Sequence, residues 1–323
     1  FFILFTVSDM ANQTSITGFL LLQFSDRRAL QMLHFVSFLA IYLAALTGNI
    51  LIISAVVQNQ HLHSPMYFFL VNLSLVDICY ISTTVPKSMA NSLSNNSLIS
   101  FSGCATQVFL VVALAGNEVG LLTVMAYDRY VAICNPLRYG LIMKWNYCFH
   151  MAAASWLSSV LFATAYTANT FRLHFCLSNV IKKFYCDIPQ LLSISCSDTQ
   201  TVTLQLFAVA TISGSFCCGL IFVSYSYIFS AVFKIQSAQG RHKAFSTCTP
   251  HLTIFTLFVI TGVLSYLRPR SWSSPPMDLV FAVFYSVLPP LLNPIIYCLR
   301  NREIQVALYE MSKKMGRFHI VTW

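Results

Sequence analysis

Asp77 and Glu118 are the side chains in this sequence most able to do chemistry, because each is set in the middle of an apolar run. A carboxylate there is costly, so its presence asks for a function. Asp77 follows Met66 by eleven residues, and Glu118 precedes Arg129 by eleven. At ~1.5 Å of helical rise per residue, both carboxylates lie roughly 16 Å from one boundary of the apolar layer. Two carboxylates in low dielectric do not both stay ionised unaided; they need a shared proton, a bound sodium-like cation or amide partners. Asn49 and Asn293 are the amides available in other apolar runs. Such a cluster can switch between two pairings or lock the elements together, and the sequence leaves both readings open.

The second feature is the charge pair Asp128–Arg129 in "MAYDRYVAICNPLRY", residues 125–139. It closes an apolar run, where the Arg129 guanidinium can pair with Asp128 and still reach water. Held in one state and released to a partner protein in another, the pair would act as a latch. Other constellations fall short of catalysis. Ser246 and His251 are five apart, off a shared helical face, with no carboxylate to orient the imidazole. His61 and His63 are too few for a metal site. Residues 278–299 hold no lysine for a Schiff base, and the two halves share no repeat of the kind transporters carry. No enzyme activity and no cofactor are expected, and no metal beyond a cation at Asp77 and Glu118.

Long apolar elements must position these groups. The 323-residue chain is 57% hydrophobic and 9% charged, with a mean hydropathy of +0.68, whereas soluble domains carry about 25% charged residues. Seven stretches are long enough to cross a hydrocarbon core of roughly 30 Å: 33–57, 66–90, 104–129, 147–168, 203–234, 245–266 and 278–299. Polar breaks such as "QNQHLHSP", "CNPLRYGLIMKWN" and "IQSAQGRHK" separate them. The fold class predicted is an all-α membrane protein, a seven-transmembrane helix bundle with a short amphipathic C-terminal helix. Residues 1–32 form an N-terminal tail, 33–299 the bundle and 300–323 a second tail. In that second tail Ile304, Ala307, Leu308 and Met311 recur at helical spacing, which suits a helix lying on the inner leaflet. Asn293-Pro294 kinks the last span, with Pro289-Pro290 just before it. The opening "FFILFTVSD" is short and lacks the basic residues of a signal peptide, so Met10 is the expected start.

An odd number of spans places the ends on opposite sides. With the N-terminus outside, eleven of the 19 basic residues face inward, among them Arg129, Arg138, Lys144, Lys243 and Arg300. The net charge of +9 therefore reads as loop charge rather than a nucleic-acid face, and lipid is the expected surrounding. The same orientation puts the sequons at Asn12 and Asn95 outside, Asn12 the better placed for glycosylation. Four of the 11 cysteines then fall outside: Cys104, Cys176, Cys186 and Cys196. They read as two disulfides, with three connectivities open; a zinc site lacks the usual spacing.

The motifs in their order resemble the odorant (olfactory) receptors within the rhodopsin-like G-protein-coupled receptors. The resemblance runs from about Met10 to Met315, through "TGN" at 47–49, "LHSPMYFFLVNLSLVD" at 62–77 and "MAYDRYVAICNPLRY". It continues through "FYCDIPQLLSISCSDT" at 184–199, "KAFSTCTPHL" at 243–252 and "LLNPIIYCLRN" at 291–301. It implies a plasma-membrane receptor that binds small volatile molecules and activates a stimulatory heterotrimeric G protein, raising cyclic AMP. It also implies the disulfides Cys104–Cys186 and Cys176–Cys196, and a coupling switch of Asp128, Arg129 and Tyr130 with Asn293, Pro294 and Tyr297. The chain departs from the family at Gln23, where Gly is usual, and at Val259 and Ile260, where Tyr and Gly are usual.

A volatile ligand calls for an apolar cavity with few polar anchors. The third span offers Val108, Val111, Val112, Ala115 and Gly116, the small residues leaving room or packing a helix closely. The fifth offers Leu206, Val209, Ala210 and Ser213, the sixth Phe255, Val259 and Ile260, and the seventh Phe281, Phe284 and Tyr285. No charged residue belongs to this ring, so a neutral or weakly polar ligand is expected.

Overall fold

The computed structural model describes residues 17–25, 27–94, 96–267 and 274–321, with residues 275, 276 and 314–321 described by backbone alone. Asn12, Asn95, Arg268 and Arg270 lie outside the described residues. In lipid every backbone N–H and C=O must be bonded within the chain, which leaves the helix as the economical solution for an apolar stretch. The chain accordingly runs β1 (Gly18–Leu21), α1 (Arg28–Gln58), α2 (Pro65–Ser94), β2 (Leu98–Ser100), α3 (Phe101–Cys134), α4 (Tyr139–Ile142) and α5 (Trp145–Phe171). It continues with β3 (Val180–Ile181), α6 (Ile188–Ser193), α7 (Gln200–Phe233), α8 (Ala238–Tyr266), α9 (Pro275–Arg300) and α10 (Arg302–Val321). Seven of these are long and apolar enough to cross a membrane: α1, α2, α3, α5, α7, α8 and α9.

The helices overrun the sequence-derived spans where a polar residue caps them. α8 starts at Ala238, seven residues before the expected 245, because Ser237 accepts a hydrogen bond from the Gly240 N–H at 3.3 Å. "IQSAQGRHK" therefore holds the first turns of a helix as well as a connection. Ser100 caps α3 the same way, accepting from Gly103 N–H at 3.1 Å.

α3 occupies the centre, packed on α2, α5, α7 and α8. Its seam with α5 is built from small residues. A Cβ added at Gly116 would lie 3.3 Å from Ser159 Cβ, and one at Gly120 only 2.2 Å from Ser155 Oγ. Ser155 Oγ also donates to Asn117 Oδ1 at 2.6 Å across the same seam. Close backbone approach of this kind is how helices associate when the solvent is as apolar as the side chains.

Two parts of the expected tails are built into the body. β1 lies between β2 and β3, antiparallel to β2 (Phe19↔Ile99) and parallel to β3 (Leu20↔Val180). Gly18 is required there, since a Cβ would sit 2.5 Å from the Ile99 carbonyl oxygen. Gln23 accepts a hydrogen bond from Gln31 at 3.1 Å, an anchor that the glycine usual in the family could not supply. At the other terminus, Ile304, Ala307 and Met311 of α10 join the main buried cluster beside Ile52, Val56 and Leu62. This face packs on α1, because α1 and the Gln60–Leu62 turn leave an apolar seat at that end. Tyr67 Oη at the head of α2 pins the start of α10, donating to Glu303 Oε2 at 2.7 Å.

Candidate functional site

At one end the long connection after α5 closes over the helices. Its anchor is the Cys104–Cys186 disulfide, with a Cα separation of 5.6 Å; Cys176–Cys196 closes the loop on itself at 5.8 Å. Gln107, buried on α3, braces the anchor. Its Nε2 donates to the Thr83 carbonyl at 2.9 Å, and its Oε1 accepts from Cys186 N–H at 2.8 Å.

That anchor carries two charges into the bundle. Lys183 and Asp187, four residues apart and flanking Cys186, are buried and pair with each other. Tyr266 Oη donates to Asp187 Oδ1 at 3.1 Å, and the Lys183 ammonium lies 4.8 Å from the Tyr266 ring centroid. Tyr285 stands edge-on to both Tyr266 and Tyr80, with centroids 5.2 and 6.3 Å away. The hydroxyls of Tyr80 and Tyr185 are buried without a hydrogen bond of ordinary geometry. Burial, and secondarily Asp187, raises the Tyr185 phenol well above the usual range, so it stays a donor. This corrects the expectation of a ring without charge. The disulfide pulls both residues inward, and their mutual pairing leaves the enclosure neutral.

The expected ligand positions divide by helical phase. Val111 and Ala115 face the main cluster with Phe255 and Tyr285, and Phe281 is buried on α9. Val108 and Val112 pack instead under the loop with Cys104, Ile181 and Cys186. Gly116 faces α5 rather than a cavity, so its small size serves packing. Ile260 is 52% exposed and Phe284 39% exposed, on the outer stripes of α8 and α9, while Val259 is half-buried. On α7 Leu206 is buried, with its carbonyl accepting from Tyr166 Oη at 2.7 Å, but Val209 and Ala210 are exposed. Ser213 spends its hydroxyl on the Val209 and Ala210 carbonyls of its own helix. Consecutive residues on a helix point about 100° apart, so a set chosen by span alone must include outward members.

Mid-bundle, Asn293 of α9 draws the two carboxylates together. Its Nδ2 donates to both Asp77 oxygens at 3.1 and 3.0 Å and lies 3.4 Å from Glu118 Oε1. Asn49 stands apart from this trio. Its Nδ2 donates to the Pro290 carbonyl at 2.9 Å and to Ala45 at 3.0 Å. Pro294 has no N–H to give the carbonyl four residues earlier, so Asn49 satisfies it from the neighbouring helix. Gly48 admits the Pro294 ring, since a Cβ there would meet it at 3.0 Å. The "TGN" and "NP" motifs are thus two halves of one joint.

At the far end Asp128 and Arg129 are both buried, and among the described residues no ion pair joins them. Successive helical residues do not face each other. Asp128 Oδ1 instead accepts from Tyr139 Oη at 2.8 Å on α4, and burial and that carboxylate raise the Tyr139 phenol. The expected Asp–Arg latch is therefore an Asp–Tyr tie with the guanidinium beside it, its Nε without a hydrogen-bond partner. Tyr130 packs 5.7 Å from Tyr227 of α7, and the Tyr297 hydroxyl is buried without a partner. A further link escaped sequence reasoning. His251 on α8 holds Tyr225 Oη of α7 at 2.9 Å through Nδ1 and the Leu122 carbonyl of α3 at 2.8 Å through Nε2. Its place in "KAFSTCTPHL", within an apolar helix, was the available signal.

The olfactory receptor family model matches residues 38–314. Human olfactory receptor 14A16 is 50% identical over 305 residues, 94% of this chain and 98% of that relative. Gorilla (Gorilla gorilla gorilla) olfactory receptor 1G1 is 46% identical over 300 residues, 93% of this chain and 96% of that protein. The crystal structure of squid rhodopsin superposes with a TM-score of 0.72 at 18% identity, covering 88% of this chain and 81% of that one, a likeness of fold. With seven apolar helices around a buried polar axis, this multi-pass membrane protein belongs to the olfactory receptor family.

Proposed function

We propose that the chain binds a small, neutral or weakly polar volatile compound beneath the disulfide-anchored loop and activates a stimulatory heterotrimeric G protein, raising cyclic AMP. The N-terminus faces outside, a reading supported by the sequons at Asn12 and Asn95 and by the excess of basic residues on the opposite face. The ligand rests against Val111, Ala115, Phe255, Phe281 and Tyr285, and a hydroxyl such as that of Tyr80 anchors a ligand carbonyl or alcohol. A net charge on the ligand would have no partner there, because Lys183 and Asp187 already satisfy each other.

The observation that carries this reading is the polar axis linking the ends. Tyr285 and Tyr80 lie above the Asp77–Asn293–Glu118 trio, and the His251 link ties α3, α7 and α8 beside Arg129. Asn293 and His251 each hold more than one helix, so a shift of α8 or α9 at the ligand end alters pairing at the Arg129 end. The test is second-messenger output in cells co-expressing an olfactory-type G protein. A panel of neutral volatiles is expected to raise cyclic AMP, with Arg129→Ala abolishing the response at unchanged surface expression. A ligand-evoked current that persists without any G protein would refute the coupling.

A further inference from the structure

A cavity of about 780 Å³ opens on the side of the bundle between α2, α3 and α5. Leu110 and Leu114 of α3 and Trp156 of α5 form its apolar walls, and Lys87 of α2 and Leu98 of β2 close its upper end. Its depth follows from the rise of α2. Cys79, on its floor, is roughly 21 Å along the helix from Pro65, inside the hydrocarbon layer. Lys87 is roughly 33 Å along, at the depth where a ~30 Å core gives way to headgroups. The cavity is thus polar and cationic at headgroup level and apolar below.

Lys87 is available for a ligand. It makes one hydrogen bond, donating to the Leu98 carbonyl at 2.8 Å, and an ammonium carries three donors. No carboxylate among the described residues pairs with it. The wall behind is rigid, because Gln107 is bonded both to Thr83 and to Cys186.

We propose that this cavity is a binding site for an anionic phospholipid, its phosphate at Lys87 and one acyl chain along Leu110, Leu114 and Trp156. Charge complementarity selects the headgroup, and the apolar floor at mid-layer depth selects a chain. The occupant comes from the leaflet at the disulfide-bearing end.

Trp156 is a built-in reporter. Replacing Trp145, Trp272 and Trp323 by Phe leaves it as the one tryptophan of the full-length chain. The protein is placed in phosphatidylcholine nanodiscs doped with a small fraction of a bromine-labelled lipid, either phosphatidylglycerol or phosphatidylcholine with identical chains. Brominated phosphatidylglycerol is expected to quench Trp156 about fivefold more effectively, the factor one interfacial lysine contributes. Lys87→Gln should remove the excess and Lys87→Arg retain it. In the chain with Lys87 intact, raising salt should lower the excess, which keeps the test decisive if Lys87→Gln fails to fold. Equal quenching by the two lipids, or an excess that survives Lys87→Gln, would overturn the proposal.

Discussion

α3 and α7 are both 34 residues long and similarly apolar, yet one is the axis of the bundle and the other its rim. The most apolar stretch of α3 is 56% buried, that of α7 11%. α3 turns Gln107, Asn117, Glu118, Asp128 and Arg129 inward, and its Gly116 and Gly120 let α5 approach closely. The hydroxyls of Ser213 and Ser226 on α7 bond carbonyls of α7 itself. Where the solvent is hydrocarbon, apolar character does not rank helices by depth. Polar groups with partners on other helices, and small residues at the contacts, do so instead. α7 joins the axis at Tyr225, the point where it acquires such a partner in His251.

The contrast can be broken most severely at the α3–α5 seam. Gly120→Leu would drive a side chain into Ser155, already 2.2 Å from where a Cβ would stand. The expected cost is about 3 kcal/mol, the upper end for overpacking, read as collapse of surface expression and of the thermal midpoint in detergent. Normal expression would mean that the helices do not approach as described. A smaller loss is expected at Gln107→Leu, which orphans the Cys186 N–H while keeping the side chain's bulk. About 1–3 kcal/mol is the usual penalty for such a group, and thermal unfolding should show it with the disulfide intact. At the rim, Ser213→Ala should change stability by no more than about 0.5 kcal/mol. A larger fall in the same assay would show that α7 is held at that position by more than its own backbone.

Much of the site was readable in advance, and particular residues show why the rest was not. Asp77 and Glu118 stand out because ionisable groups in apolar runs are rare enough to be noticed singly, and counting along the helices placed them at one depth. By sequence Asn49 belongs to the same cluster, because an amide in an apolar span looks like a carboxylate's partner. Its true partner, the Pro290 carbonyl, is a backbone group that Pro294 leaves unsatisfied, and no side-chain inventory contains it. Lys183 and Asp187 sit in the long connection after α5, and nothing in their spacing shows that the disulfide beside them carries them inside. Adjacency suggests a pair of Asp128 and Arg129, but a helix turns neighbours apart and Asp128 meets Tyr139 instead.

What the sequence by itself determined is the number of spanning helices, because length and apolar composition suffice to satisfy or violate the membrane. It also determined the kinship, because the motifs recur in a fixed order. Only the tertiary structure decided which face of each helix turns inward and which amide meets which carbonyl or carboxylate. Six of the seven spanning helices, α9 apart, are apolar on nearly all sides, so a hydrophobic stripe gives them little direction. Orientation comes from a few polar bonds and glycine contacts whose partners lie dozens to hundreds of residues away.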